Sequence, residues 1–140
     1  MSESTRRRGR GLLDTNVIIH LSRLSPDQLP LESSISAITL AELSAGPHAT
    51  SDPVERAVRI RRLQRSRSGF DTLPFDAEAA QHYGPVHAAV LAVNRSPRSR
   101  FADLQIACVA IANHLPLFTI NPADFAGLEE LLEVVPVSHP

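Results

Sequence analysis

At 140 residues the chain has room for one compact domain and not for two. A hydrophobic share of 43% and a charged share of 21% exclude a disordered or fibrous protein. A formal net charge of −1 excludes attraction to nucleic acid or membrane through bulk charge, so any such binding has to be local. All 14 basic residues are Arg, which excludes chemistry that needs a lysine amine, such as a Schiff base or a Walker-type loop. The single cysteine, Cys108, excludes an internal disulfide and a multi-Cys zinc site. Arg6, Arg7, Arg8 and Arg10 imitate the start of a secretion signal, but Asp14 and Asn16 interrupt the apolar stretch that follows. No apolar run approaches the roughly 18 residues of a membrane span. A cytoplasmic protein with no membrane partner is expected.

Residues 1–10 form a polar, Arg-rich N-terminal tail, expected to be disordered, and 11–140 the folded domain. Leu12-Leu13 reads as a buried strand passing at Asp14-Thr15-Asn16 into a short helix over 17–21. Ser34-Ile35-Ser36 is a second strand, followed by a helix over 37–45 that Gly46-Pro47 closes. Asp52-Pro53-Val54-Glu55 starts a helix that runs to about Arg67. Residues 70–75 read as a strand. Asp76 caps a helix to about Asn94, which Gly84-Pro85 should kink or split. After a loop, 101–114 is a nearly all-apolar, buried helix. Strands at 117–119 and 132–137 flank a helical turn over 122–125. Strands alternating with helices predict an α/β fold, a single domain with a parallel sheet of four to five strands flanked by helices. Its ligands should sit beyond the carboxyl ends of the strands, at a topological switch point.

Three acids stand out. Asp14 ends the first strand. Glu42 has Ile38 and Ala45 at i−4 and i+3 and is expected on the apolar face of its helix. Asp103 opens the apolar helix, with Ile106, Ala107 and Ala110 following on its face. Taken alone, Asp14 reads first as a cap and Glu42 as a boundary residue, and Asp103 reads as readily as an acid favoured by the helix dipole. Jointly they point to one end of the sheet, with no basic partner beside them in sequence. Two carboxylates roughly 4 Å apart repel by about 4 kcal/mol at an effective dielectric near 20, so a cation is needed to neutralise the group. All-oxygen ligation without His or Cys selects Mg²⁺, with Mn²⁺ as a substitute. Such a site suits phosphodiester hydrolysis. Asn121 and Asp124, after the fourth strand, can supply a weaker second position. An Asp-x-Asp phosphatase fits less well, because the third residue is Asn16, and so does a receiver domain, because the chain has no Lys.

Four segments carry a resemblance: Leu12-Leu13-Asp14-Thr15-Asn16, residues 36–43 (SAITLAEL), residues 102–107 (ADLQIA) and residues 117–125 (LFTINPADF). In this order they span Leu12 to Phe125 and resemble the PIN-domain ribonucleases, most closely the VapC toxins of bacterial VapBC toxin–antitoxin systems. The resemblance implies a PIN-like domain over 11–140 and endonucleolytic cleavage of RNA at an acidic Mg²⁺ site. It also implies a homodimer and a cognate VapB-like antitoxin whose tail blocks the site. It makes Asp14, Glu42 and Asp103 the catalytic, metal-binding acids. Thr15 and Thr119 would orient a ligand or water, and Ser36 would support the site. The chain departs from the family in its N-terminal residues and in Gly84-Pro85, which interrupts a helix usually continuous.

The Arg residues read two ways. Those at 56, 59, 61, 62, 65 and 67 spread around one helix, as on a solvated surface. Arg98 and Arg100, with Arg95, lie in the loop just before Asp103 and are candidates to hold RNA phosphates. The alternative function is a non-catalytic PIN-like module that binds RNA or protein. The complete acidic set argues against it.

Overall fold

A computed structural model describes residues 7–140. Five parallel strands form one sheet: β1 (Arg10–Leu13), β2 (Glu32–Ser36), β3 (Asp71–Leu73), β4 (Leu117–Thr119) and β5 (Val134–Pro136), in the order β3-β2-β1-β4-β5. Among the described residues six α-helices connect or flank them, besides short 3-10 turns: α1 (Thr15–Ile19), α2 (Ala37–Ala45), α3 (Pro53–Gly69), α4 (Ala77–Ala80), α5 (Tyr83–Ala92) and α6 (Phe101–Ala112). The α/β reading stands, with the sheet at five strands. None of the helices among the described residues is long and apolar enough to cross a membrane.

The sheet is covered on both faces because its inner strands alternate between two apolar clusters. Leu12 and Leu117 point into a cluster with Val86, Leu104, Ala107 and Phe125, which belongs to α5, α6 and the turn after β4. Their neighbours Leu13 and Phe118 point the other way, among Val17, Ile18, Ile35 and Leu43. Gly11 is needed at its place in β1, since a Cβ there would run into Cε1 of the Phe118 ring. The chain builds β1, β2 and β3 outward on one side, then crosses back to place β4 and β5 on the other. The switch point therefore lies between the carboxyl ends of β1 and β4, where Leu13 pairs with Phe118.

Two expectations need correction, on the N-terminal tail and the edge strands, whereas the expected split of the helix after Asp76 is borne out. The N-terminal tail is not disordered throughout 1–10. Residues 1–6, Arg6 included, lie outside the described residues, but Arg7 to Arg10 are held. The Arg7 guanidinium donates to the carbonyls of Leu29 and Pro30 at 3.1 and 3.2 Å. Arg8 pairs with Glu133 at 2.7 Å, and the backbone of Arg8 and Gly9 accepts from Leu31 and Glu32. The helix after Asp76 is fully divided at Gln81–His82. Pro85 has no N–H for the Gln81 carbonyl and its ring would strike that carbonyl, so α5 begins afresh at Tyr83. Both edge strands are shorter than 70–75 and 132–137. Pro74 cannot donate to a ladder and stops β3.

Candidate active site

Asp14 stands at the switch point with 4% of its surface exposed. Its main-chain amide continues the sheet by donating to the Phe118 carbonyl, 2.9 Å away. Its side chain leaves the strand as the N-cap of α1, where Oδ1 accepts from the Thr15 amide at 2.9 Å. Oδ2 accepts from the Thr119 hydroxyl at 2.9 Å. That hydroxyl is held in turn, accepting from Nδ2 of Asn16 at 3.3 Å and from the Asn121 amide at 3.0 Å. Burial, which outweighs these bonds, pushes the Asp14 carboxyl up to about 6, and the charges of Asp103 and Glu42 add to the effect.

Asp103 lies in the first turn of α6, half-buried. Burial, then repulsion from Asp124 and Glu42, pushes its carboxyl up to about 6, against the opposing charge of Arg100. Among the described residues nothing donates a hydrogen bond to it. Glu42 corrects the expectation of an apolar position. The core-facing residues of α2 are Thr39 and Leu43, and Glu42 is exposed at the edge of that face. Its Oε1 accepts from the Thr15 hydroxyl at 2.7 Å. Thr15 thus joins two acids, Asp14 by its amide and Glu42 by its hydroxyl. Ser36, fully buried at the end of β2, caps α2 by accepting from the Thr39 amide at 3.0 Å.

Asp124 also belongs to this group, through its repulsion of Asp103, and its Oδ1 accepts from Arg100 at 3.2 Å. Arg100 is therefore engaged inside the acidic site through one of its terminal nitrogens. Arg95 donates to the Ala123 carbonyl, while Arg98 is exposed in the turn before α6. Asn121 is exposed and only its backbone touches the site. Sequence reasoning missed Thr39, whose hydroxyl lies 2.9 Å from that of Thr15. It also missed Arg62, which lines a groove with Thr15, Glu42 and Arg59 and so brings α3 beside the acids. Neither residue carries a signal along the chain, since each is an ordinary helix residue until the fold brings it to Thr15.

Among the described residues, no three Asp, Glu, His or Cys side chains are arranged to hold a metal ion as they stand. The donor set nonetheless fits one kind of ion. Every acceptor is a carboxylate, amide or hydroxyl oxygen, and Mg²⁺ characteristically keeps several waters and takes only one or two carboxylates from a protein. Asp14 and Asp103, both kept from ionising readily by burial and by neighbouring acids, are suited to a hard cation that restores their charge.

Comparison with known proteins agrees with this architecture. The PIN domain family model matches residues 11–131. A solved member of the VapBC family of toxin–antitoxin systems, VapBC-5 from Mycobacterium tuberculosis, is 32% identical with a TM-score of 0.79, covering 94% of this chain and 99% of that one. FitAcB from Neisseria gonorrhoeae is 29% identical with a TM-score of 0.70, covering 88% of this chain and 94% of that one. A protein of Rickettsia bellii (strain RML369-C) named Ribonuclease VapC is 29% identical over 128 residues, covering 86% of this chain and 91% of that protein. With its parallel sheet, its switch-point acids and a family match over nearly the whole length, the chain belongs to the PIN-domain family, among relatives of the VapC type.

Proposed function

We propose that this chain is a Mg²⁺-dependent endoribonuclease, with Mn²⁺ able to substitute, and the toxin of a toxin–antitoxin pair. The observation that carries the reading is the pairing of Asp14 with Asp103. Two carboxyls at one switch point, each raised to about 6 and neither in an ion pair among the described residues, want a divalent cation. The ribonuclease name of the Rickettsia bellii relative supports RNA as the substrate. The VapBC complexes among the solved relatives support a VapB-like antitoxin as partner. Cellular RNA puts the activity in the cytoplasm.

Asp14 and Asp103 would bind the cation directly and Glu42 through water, with Asn121 and Asp124 as a weaker second position. When bound, the cation supplies Lewis acidity toward water and phosphate oxygens. The Thr119 hydroxyl and the Thr15 amide hold the two oxygens of Asp14 in place. Glu42, the acid open to solvent, would accept a proton from the attacking water; the water oxygen bonds to phosphorus, the bond to the leaving ribose oxygen breaks, and that oxygen takes a proton from solvent. Arg98 holds an RNA phosphate ahead of α6, and Arg100, which keeps donors beyond those bound to Asp124, assists it. Exposed Leu91, Val93 and Phe101, on and around α5 and the start of α6, offer an apolar face for a homodimer. An Arg on the antitoxin tail would pair with the acids in place of metal.

The full chain incubated with total RNA and Mg²⁺ should cut it into discrete fragments. EDTA should stop the cutting, and so should Asp103→Asn. Expression alone should arrest growth, and co-expression of the neighbouring gene should relieve the arrest. Intact RNA after incubation with folded, metal-supplemented protein would overturn the proposal.

A further inference from the structure

An unbroken line of oxygens runs from the core to the acidic site. Ser36 Oγ and Thr39 Oγ1, both fully buried, are 3.3 Å apart. Thr39 Oγ1 lies 2.9 Å from Thr15 Oγ1, and Thr15 Oγ1 lies 2.7 Å from Glu42 Oε1. Each hydroxyl has one proton to give. Thr15 gives its proton to Glu42, so it must accept from Thr39. Thr39 has then spent its own proton and must accept from Ser36. Every donor in the line is directed toward Glu42.

The helix itself does not need the Thr39 hydroxyl. The cap of α2 uses the Thr39 amide, which any residue but proline would supply. Thr39 lies in the first turn of α2, where no helical carbonyl stands one turn back to take its hydroxyl, since Ile35 belongs to β2. Thr39 instead points across to α1, 24 residues away in sequence. Glu42 is exposed on a side chain with three rotatable bonds, and freezing such a side chain costs entropy. The one hydrogen bond that holds its carboxylate among the described residues comes from Thr15, whose own rotamer is held by Thr39.

We propose that Thr39 is a positioning residue, which, supported by Ser36, aims the Thr15 hydroxyl at Glu42 and so fixes the Glu42 carboxylate beside Asp14. The proposal rests on the ribonuclease reading for its consequence in catalysis, but not for its geometry. Thr39→Val keeps the shape and removes the hydroxyl, and Thr39→Ser keeps the hydroxyl. In metal-free protein, side-chain scalar couplings of Glu42 measured by NMR should report one rotamer in the wild type and in Thr39→Ser, and averaging in Thr39→Val. With RNA, Thr39→Val should lose about tenfold in kcat at nearly unchanged KM, and Thr39→Ser should recover most of it. Thr39→Ala, which favours a helix, replaces the valine variant if that one melts early. Wild-type rotamer order and kcat in Thr39→Val would overturn the proposal. So would a serine variant as impaired as the valine one. A wild type that cuts no RNA would overturn the ribonuclease reading alone, while the couplings would still decide the role of Thr39.

Discussion

Arg100 binds Asp124 twice, donating through the same nitrogen to its backbone carbonyl at 3.3 Å and to its Oδ1 at 3.2 Å. The pair ties the start of α6 to the turn after β4, the two segments that carry Asp103 and Asp124. Arg100 also opposes the repulsion that raises Asp103. Arg100→Gln should therefore raise the Asp103 carboxyl further in metal-free protein, an upward shift to be read by carboxyl NMR titration. An unchanged or lower value would detach Arg100 from the site.

Because Asp124 is already committed to Arg100, its share in metal binding should be small. Calorimetric titration with Mg²⁺ or Mn²⁺ should show a modest loss of affinity in Asp124→Ala and no binding in Asp14→Ala. Equal loss in both variants would make Asp124 a primary ligand.

Asp14→Asn, Glu42→Gln and Asp103→Asn should each abolish RNA cleavage while leaving the fold intact. Their metal-free stabilities should differ. The Asp103→Asn change relieves repulsion without losing any hydrogen bond, so the melting temperature at neutral pH should rise by roughly 2–4 °C. The Asp14→Asn change turns an amide N–H₂ toward Thr15 N or Thr119 Oγ1 where a carboxylate oxygen now accepts, and should gain nothing. Thermal unfolding in EDTA separates the two. A destabilised Asp103→Asn protein would contradict the repulsion.

The pH dependence has an unusual sign. A carboxyl held at about 6 in the fold, against 3.8 for the ordinary group, keeps a proton that the unfolded chain has released. Its contribution is complete below the unfolded value and is lost as pH rises through about 6, amounting to roughly 3 kcal/mol for Asp14. Metal-free protein should lose stability across this interval through Asp14 and Asp103, where ordinary paired carboxylates would add it. Mg²⁺ should raise the melting temperature above the interval and not below it. Denaturant unfolding at several pH values, with and without Mg²⁺, checks both statements.

Gly11→Ala should destabilise by about 1–3 kcal/mol, because the new methyl group meets the buried Phe118 ring between β1 and β4. Urea unfolding of the variant measures it.

Much of this architecture was legible along the chain. Short apolar runs ending in Asp14 and Thr119 marked inner strands, and Pro85 marked the break between α4 and α5. The phase of α2 was not legible. Its nine residues are apolar on most sides, so periodicity could not tell that Thr39 and Leu43 face inward and Glu42 outward. The order of Arg7 and Arg8 depends on Leu29, Pro30 and Glu133, the last 125 residues away, and local composition carries no trace of such partners. Thr39 was hidden for the same reason, since what distinguishes it is a hydroxyl on another helix.

The Thr119 hydroxyl and the Asp14 carboxylate it holds are separated by 105 residues. A ribosome delivers them in the reverse order, and β1 acquires its β4 neighbour only when most of the chain has been made. A nascent chain halted before Leu117 has Asp14, Glu42 and Asp103 but no strand to close the switch point around them. Synthesis therefore arms the protein late. On the ribonuclease reading, the message being translated and the ribosomal RNA beside it are the first RNAs within reach. A site completed by its last strands delays cutting until the chain is nearly free, which gives a partner made alongside it time to bind.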